Sequence, residues 1–236
     1  ANSVTPFRMG EGRWLPAGQG VYVADLAANE TTSATFTPCR RPDGRYDVRF
    51  GRGHAVYRNR RGDLDIEMTV FAAVDAPVLV KIVKVRNTGA STRVLRVVPF
   101  AEITLAETPA ESVGRVVAET SDNARELFFR NPSNDIVSGW AFVTTSLAAE
   151  FAETSRRRSL GGADREPCWP YMVEHGHPDS SAEDDGWRIA GFAGNITVPQ
   201  GGEETIVFSI GQTGTREEAA PPARDGAATI LVRWAP

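Results

Sequence analysis

Lysine is almost missing from this sequence. Lys81 and Lys84 are the only two, against 24 arginines in 236 residues. With alanine abundant as well, the bias reads as GC-rich bacterial codon usage, not as a binding signal. The arginines do not make the chain basic, because Asp and Glu number 30 and leave a net charge of −4. That removes the long-range attraction on which nucleic-acid binding rests. The basic clusters Arg58-Asn59-Arg60-Arg61 and Arg156-Arg157-Arg158 lack interleaved aromatics and read as solvated loops, so no nucleic-acid partner is expected. No apolar run reaches the roughly 18 residues that a bilayer-crossing helix needs, so no membrane contact is expected of this segment. Cysteine is scarce too. Cys39 and Cys168 cannot staple a disulfide scaffold, and one bridge or two thiols would fit equally. Three histidines leave little for metal chemistry. His175-Gly176-His177 lies near Cys168, Glu174 and Asp179 but matches no zinc spacing, and no metal or cofactor is expected. The Gly51-Arg52-Gly53-His54 stretch is followed by neither a helix start nor Lys-Ser/Thr, so it is no phosphate loop. There is no G-x-S-x-G nucleophile turn. The chain has no initiator Met, no charged or apolar leader in Ala1–Pro6, and an abrupt stop at Pro236, so it reads as a piece of a longer protein.

What is present is β-rich. Hydrophobic residues at 41% and charged residues at 24% are ordinary globular usage, and the length suits one large all-β domain. Val78–Val85 is a β-branched run of the central-strand kind. Asn87-Thr88-Gly89-Ala90 has turn composition, and Val94–Phe100 reads as the return strand of a hairpin. Further strands are expected at 45–48, 55–58, 65–71, 113–119, 126–129, 140–145, 189–198 and 205–210. In the last, Ile206, Phe208 and Ile210 alternate with Thr205, Val207 and Ser209, which predicts one face more buried than the other. Helical signal is confined to a turn or two at 147–153 and a short helix at 227–234, preceded by a Pro221-Pro222 linker. Gly161–Gly186 is irregular, acidic toward its end and reads as an exposed loop. The fold class is therefore all-β, a large antiparallel β-sandwich with a short C-terminal linker helix.

Two residue types could carry chemistry. Paired carboxylates do glycosidase acid–base work, and Asp63, Asp65, Glu67 and Glu102 are the candidates. Asp65 and Glu67 share a strand face, an arrangement commonplace on solvated strands. Aromatic rings stack on the apolar face of a pyranose. Trp14, Tyr46, Tyr57, Trp140, Trp169, Tyr171 and Trp187 make up that set. Most sandwich aromatics are core residues, and Trp169 and Tyr171, in the irregular segment, are the ones expected at the surface.

Several short motifs then occur in a telling order. They are Asn2-Ser3-Val4-Thr5-Pro6-Phe7, then Gly20–Asp25 with Ser33–Pro38, then Arg49–Tyr57. Leu64–Phe71, Pro77 with Lys81-Ile82 and Asn87-Thr88, Arg130-Asn131-Pro132-Ser133-Asn134 and Thr205–Gln212 complete the series. Over residues 2–212 this series resembles the N-terminal β-sandwich (supersandwich) of glycoside hydrolase family 94. That family holds cellobiose, chitobiose and cellodextrin phosphorylases and the phosphorylase-like region of cyclic β-1,2-glucan synthases, which the motifs resemble most. Departures fall in two places: the family's H-G histidine is Phe50 here, its Tyr is His54 and its Ser is Ala55, and the V-F-V-P proline is replaced around Ala72-Ala73.

The resemblance implies the following. Residues 1–212 form a carbohydrate-associated sandwich, and 213–236 begin the connection to an (α/α)₆ barrel that carries the family's catalytic Asp and phosphate site. Nothing here could build that barrel, so this chain alone is expected to have no catalytic residues. The parent would be a glycosyltransferase or phosphorylase. The implied partners are a β-glucan oligosaccharide, the parent's helical barrel and, as an option, a second copy in a homodimer. The implied location is the cytoplasm, with the parent tethered to the bacterial inner membrane. Arg49, His54, Tyr57, Asn131 and Asn134, at matched motif positions, are the expected sugar contacts, with Trp169 and Tyr171 as stacking rings. A purely structural or dimerisation domain, and a stand-alone hydrolase using Asp65, Glu67 or Glu102, are the competing readings.

Overall fold

In the computed structural model, which describes residues 18–74, 76–134, 138–162 and 169–218, the β-branched run becomes a ten-residue strand, β6 (Val78–Asn87). Before it come β1 (Gln19–Asp25), β2 (Glu30–Ser33), β3 (Arg45–Gly51), β4 (His54–Arg61) and β5 (Leu64–Ala72). After it come β7 (Arg93–Ile103), β8 (Val117–Thr120), β9 (Glu126–Arg130), β10 (Trp140–Thr145), β11 (Phe151–Ser155), β12 (Arg188–Val198) and β13 (Glu203–Thr213). Short helices α1 (Pro109–Ser112), α2 (Arg156–Leu160) and α3 (Tyr171–His175) lie between strands. The strands form two antiparallel sheets, one in the order β11-β12-β7-β1-β2 and one in the order β3-β4-β5-β6-β13-β10-β9-β8. This is the all-β sandwich expected from the sequence. The proposed linker and helix over 219–236 lie outside the described residues.

The core lies between the sheets. Val21, Val23, Leu95 and Val97 of the smaller sheet meet Ile66, Met68, Val83 and Val85 of the larger, and further along Phe192 meets Phe208 edge-to-face at 6.3 Å. The outer faces are not left to water. On the smaller sheet, Tyr22, Val98, Phe100 and Ile189 are covered by Leu160, Met172 and Val173 of α2 and α3. On the larger sheet, Phe71, Val80, Ile82, Phe128, Phe142 and Val207 form an outer cluster, with the Arg216 guanidinium 3.3 Å above the Phe128 ring. The expected one-sided burial of 205–210 is thereby corrected, since Val207 and Ser209 are as buried as Phe208.

Two charged groups sit in this apolar setting. Lys81 lies on the inner face of β6 between cross-strand neighbours Val70 and Phe208, with its Nζ 5.5 Å from the Phe208 ring centre. No hydrogen bond or ion pair reaches it among the described residues, and burial pushes its ammonium down to a pKa of about 7. Glu102, on the outer face of β7 beneath α2, is 3% exposed and accepts from Arg156 Nε at 2.6 Å. Tyr22 stacks on Phe100 nearby, and burial pushes its hydroxyl far above its usual range.

Three local expectations fail for physical reasons, and a fourth holds only in part. β6 and β7 do not pair as a hairpin, because they belong to different sheets. Asn87 Nδ2 donates to Ser91 O (2.8 Å) and to Val198 O and Pro199 O (3.0 and 3.2 Å), bending the link into an arch that crosses the sandwich. The segment 147–153 is not helical: Leu147 is a core residue and Phe151 begins β11. The expected exposed loop 161–186 contains α3, whose Met172 and Val173 are fully buried. Of the strand expected at 113–119, only the end is strand. Thr108 and Glu111 form a capping box on α1 just upstream.

Candidate functional site

The seven expected sugar-contacting residues fall in three separate places. Arg49 is on the edge strand β3, exposed and bonded to Asp47 Oδ2 at 3.1 Å. His54 opens β4 with its ring lying over Gly51, where a Cβ would collide with the imidazole unless the ring swung aside. Tyr57 faces the other way, half-buried against the inter-sheet core. An odd sequence separation puts His54 and Tyr57 on opposite faces of one strand, so they cannot share a ligand.

Asn131 and Asn134 stand at the end of β9. Both donate Nδ2 to the carbonyl of Leu105, at 2.9 and 3.0 Å, and Asn131 Oδ1 accepts from Ser133 N at 3.0 Å. Leu105 has φ +47°, an uncommon backbone for a branched residue, and the two amides hold it there. This pair is a structural bracket.

Trp169 and Tyr171 flank the start of α3. Trp169 packs half-buried against the cluster of Tyr22, Phe100 and Met172, so the expected surface ring is a covering one. Tyr171 does reach the surface. Its ring lies 4.3 Å from that of His175 and 5.8 Å from that of His177, and Phe151 of β11 stands 6.1 Å from His177. Phe151, His175 and His177 are exposed, so the four rings form one aromatic surface. Arg96 holds the platform in place by donating Nη1 to Val173 O (2.8 Å) and Glu174 O (2.7 Å) at the end of α3. Favourable charge at a helix C-terminus explains an arginine there. Sequence reasoning missed Phe151 because it took 147–153 as helical; the alternation Phe151-Ala152-Glu153-Thr154-Ser155 was the available signal. Among the described residues no third metal-ligating side chain joins the two histidines. His175 Nε2 lies 3.4 Å from Glu174 Oε2, and Asp179 accepts from Ser181.

The carboxylates weighed for hydrolysis are each held by arginine: Asp65 by Arg60 (3.3 Å), Glu67 by Arg58 (2.5 Å), Asp63 by Arg93 (3.0 Å) and Glu102 by Arg156. A polar pocket of about 270 Å³ at the β1–β2 and β4–β5 turns is lined by Asp25, Glu30, Arg61, Asp63 and Arg93. Arg93 pairs with Asp25 and Asp63, and Arg61 with Glu30 (3.1 Å) and Asp43 (2.9 Å). The Arg61 hydrogen bond holds the Asp43 carboxyl below its usual range. With its charges paired and no ring on its walls, this pocket is an ion-pair network closing the end of the sandwich.

The model of the family described as glycosyl hydrolase 94, supersandwich domain, matches residues 1–225. The chain belongs to this family. The supersandwich is 26% identical over 195 residues to the cyclic β-(1,2)-glucan synthase NdvB of Rhizobium meliloti (strain 1021), a match covering 82% of this chain and 7% of that protein. It therefore spans a small part of that relative. Among solved structures it is similar to a bacterial glucoamylase complexed with acarbose (TM-score 0.56, 13% identity, 96% of this chain, 37% of that one). It is also similar to a polysaccharide lyase (TM-score 0.50, 10% identity, 86% of this chain, 26% of that one). At these identities the likeness is one of fold. In this supersandwich no described helix is long and apolar enough to cross a membrane, and Cys39 is disulfide-bonded, while Cys168 falls outside the described residues.

Proposed function

We propose that this supersandwich is a non-catalytic, carbohydrate-associated module of a larger glycosyltransferase or phosphorylase acting on β-glucans. Residues 1–212 would be the module and 213–236 the start of its connection to a helical catalytic barrel. The family match over 1–225 carries this reading. It is supported by the glucan synthase relative, of which this chain corresponds to 7%. The arginine-locked carboxylates argue against a stand-alone hydrolase, which needs one carboxyl free to protonate and another free to attack.

The sugar contact we assign to the surface of Phe151, Tyr171, His175 and His177, in place of the scattered motif residues. Rings at 4.3–6.1 Å offer an apolar platform, and the imidazoles and the Glu174 carboxylate supply hydroxyl partners at its rim. Calorimetric or NMR titration with β-1,2-linked glucan oligosaccharides is expected to show millimolar binding, weakened on the order of tenfold in Tyr171→Ala, about 1.4 kcal/mol. Asn131→Ala is expected to lose about 1–3 kcal/mol of stability and no affinity. Absence of binding at millimolar β-1,2-, β-1,3- and β-1,4-oligosaccharides would leave the domain a purely structural one.

The cytoplasmic location of the parent, tethered to the inner membrane, is part of the same proposal. Disulfides persist mainly in oxidising compartments. The cytoplasmic location therefore requires the Cys39 disulfide of the structure to be open in the cell, and alkylation before lysis is expected to label Cys39; a blocked Cys39 would place the domain in an oxidising compartment instead.

A further inference from the structure

Four strands end the two sheets, and three of the ends are blunted. β2 and β8 have four residues each, and β11 carries a register break between Glu153 and Ser155. Short and bulged edges of this kind resist pairing with another chain. β3 is different. It has seven residues, pairs with β4 without interruption from Arg45 to Gly51, and has no strand on its other side among the described residues. Its inner face carries Tyr46, Val48 and Phe50, with Phe50 81% and Val48 45% exposed. Phe36, 50% exposed, extends the same patch by an edge contact to Tyr46 at 5.2 Å. Exposed apolar side chains gathered on one open edge mark an interaction surface.

The order of residues along β3 identifies the partner. Read about Val48, the strand is complementary to itself. In an antiparallel pair centred there, Val48 faces Val48, Tyr46 faces Phe50, Asp47 faces Arg49, and Arg45 faces Gly51. Both aromatic pairs fall on the inner face and both opposite-charge pairs on the outer one, the combinations that stabilise cross-strand neighbours. A shift that set Asp47 opposite itself would put Arg45 against Arg49 and oppose like charges throughout. Asp47 and Arg49 now bond each other along the strand, exposed to water, and are free to exchange that contact for one across an interface. We propose that β3 pairs with β3 of a second copy of this chain, antiparallel about a two-fold axis through Val48, joining two eight-stranded sheets edge to edge. Such an interface is isologous, as a closed dimer requires. It does not depend on the sugar-binding reading.

Sedimentation velocity of the 236-residue protein tests this. A reversible monomer–dimer equilibrium is expected, with a dissociation constant on the order of micromolar for so small an interface. Asp47→Arg and Arg49→Asp each place like charges opposite one another twice per dimer, and each is expected to weaken association about tenfold or more. The double exchange D47R/R49D restores opposite charges and is expected to restore the dimer. Mixing the two single variants is expected to give a heterodimer. These positions are exposed, and the mixing experiment also confirms that each single variant is folded. Hydrogen exchange gives a second readout, with protection of β3 amides rising with protein concentration. A protein monomeric at all concentrations, a dimer indifferent to D47R, or β3 protection independent of concentration would overturn the proposal. The last result would mean that another segment of the same chain covers the edge.

Discussion

Replacing Lys81 with methionine is expected to stabilise the protein at pH 7 by about 2–4 kcal/mol, an unusual sign for a core substitution. The lysine stands between Val70 and Phe208 with no acidic partner among the described residues, and burial lowers its pKa from 10.5 to about 7. Between these two values the unfolded chain binds a proton that the folded chain does not. Stability therefore rises with pH across this window, with a slope approaching roughly 1.4 kcal/mol per unit. Below pH 7 both states carry the proton and the penalty is at its full value; above 10.5 neither does and it vanishes. The shift corresponds to about 5 kcal/mol as an upper bound, and the methionine gives part of it back through imperfect packing. The check is the difference between wild-type and Lys81→Met unfolding free energies, measured by urea titration at about pH 6.5 and about pH 9.5. That difference should shrink at the higher pH, because only Lys81 is changed. Two parallel pH profiles would sink the idea.

The opposite sign is expected at Arg156. Glu102 is 3% exposed, and its carboxylate is held by Arg156 Nε at 2.6 Å. Arg156→Ala takes the guanidinium away from this buried carboxylate, and losing one partner of a buried ion pair costs about 3–5 kcal/mol. For a domain of this size that lowers the melting temperature by about 10 °C or more. The double variant Glu102→Leu/Arg156→Met removes both charges, and most of the loss should be recovered. Measured together, the single and double variants separate the burial of a charge from the packing of α2 on the sheet. A loss below about 1 kcal/mol in the single variant would show that water or another group of the protein satisfies Glu102 without Arg156.

Much of this fold was legible, and the limits have particular causes. β5, β9, β10 and β12 lie where β-branched and aromatic runs put them, within a residue or two at their ends. The family was legible as well, because ordered motifs survive where single ones are ambiguous. The link at Asn87–Ala90 was not, because turn composition cannot tell a hairpin from an arch. That choice is made by Asn87 reaching Val198 and Pro199, more than a hundred residues away. α3 is five residues long and buries two, too little for helical periodicity to register. The candidate site was least legible. Motif position pointed to Asn131 and Asn134, which hold the Leu105 backbone, while the surface rings come from two segments, Phe151 and 171–177, that only the tertiary fold brings together. Lys81 was the overlooked clue, since a lysine inside a continuous apolar run belongs to a strand buried on both faces.

The position of β13 has a consequence for synthesis. It is the last strand described, yet it lies between β6 and β10 in the middle of the larger sheet. Until residue 213 has left the ribosome, the meander β3-β4-β5-β6 and the group β10-β9-β8 have no common neighbour, and β6 shows an open apolar flank. The first half-sheet, complete at Asn87, must therefore wait for more than a hundred residues of translation, and the second, complete at Thr145, for more than fifty. At roughly 5–20 residues per second that is a wait of several seconds. Non-local pairing of this sort is slow to form and exposed to aggregation meanwhile. The half-built larger sheet is the species a chaperone would meet.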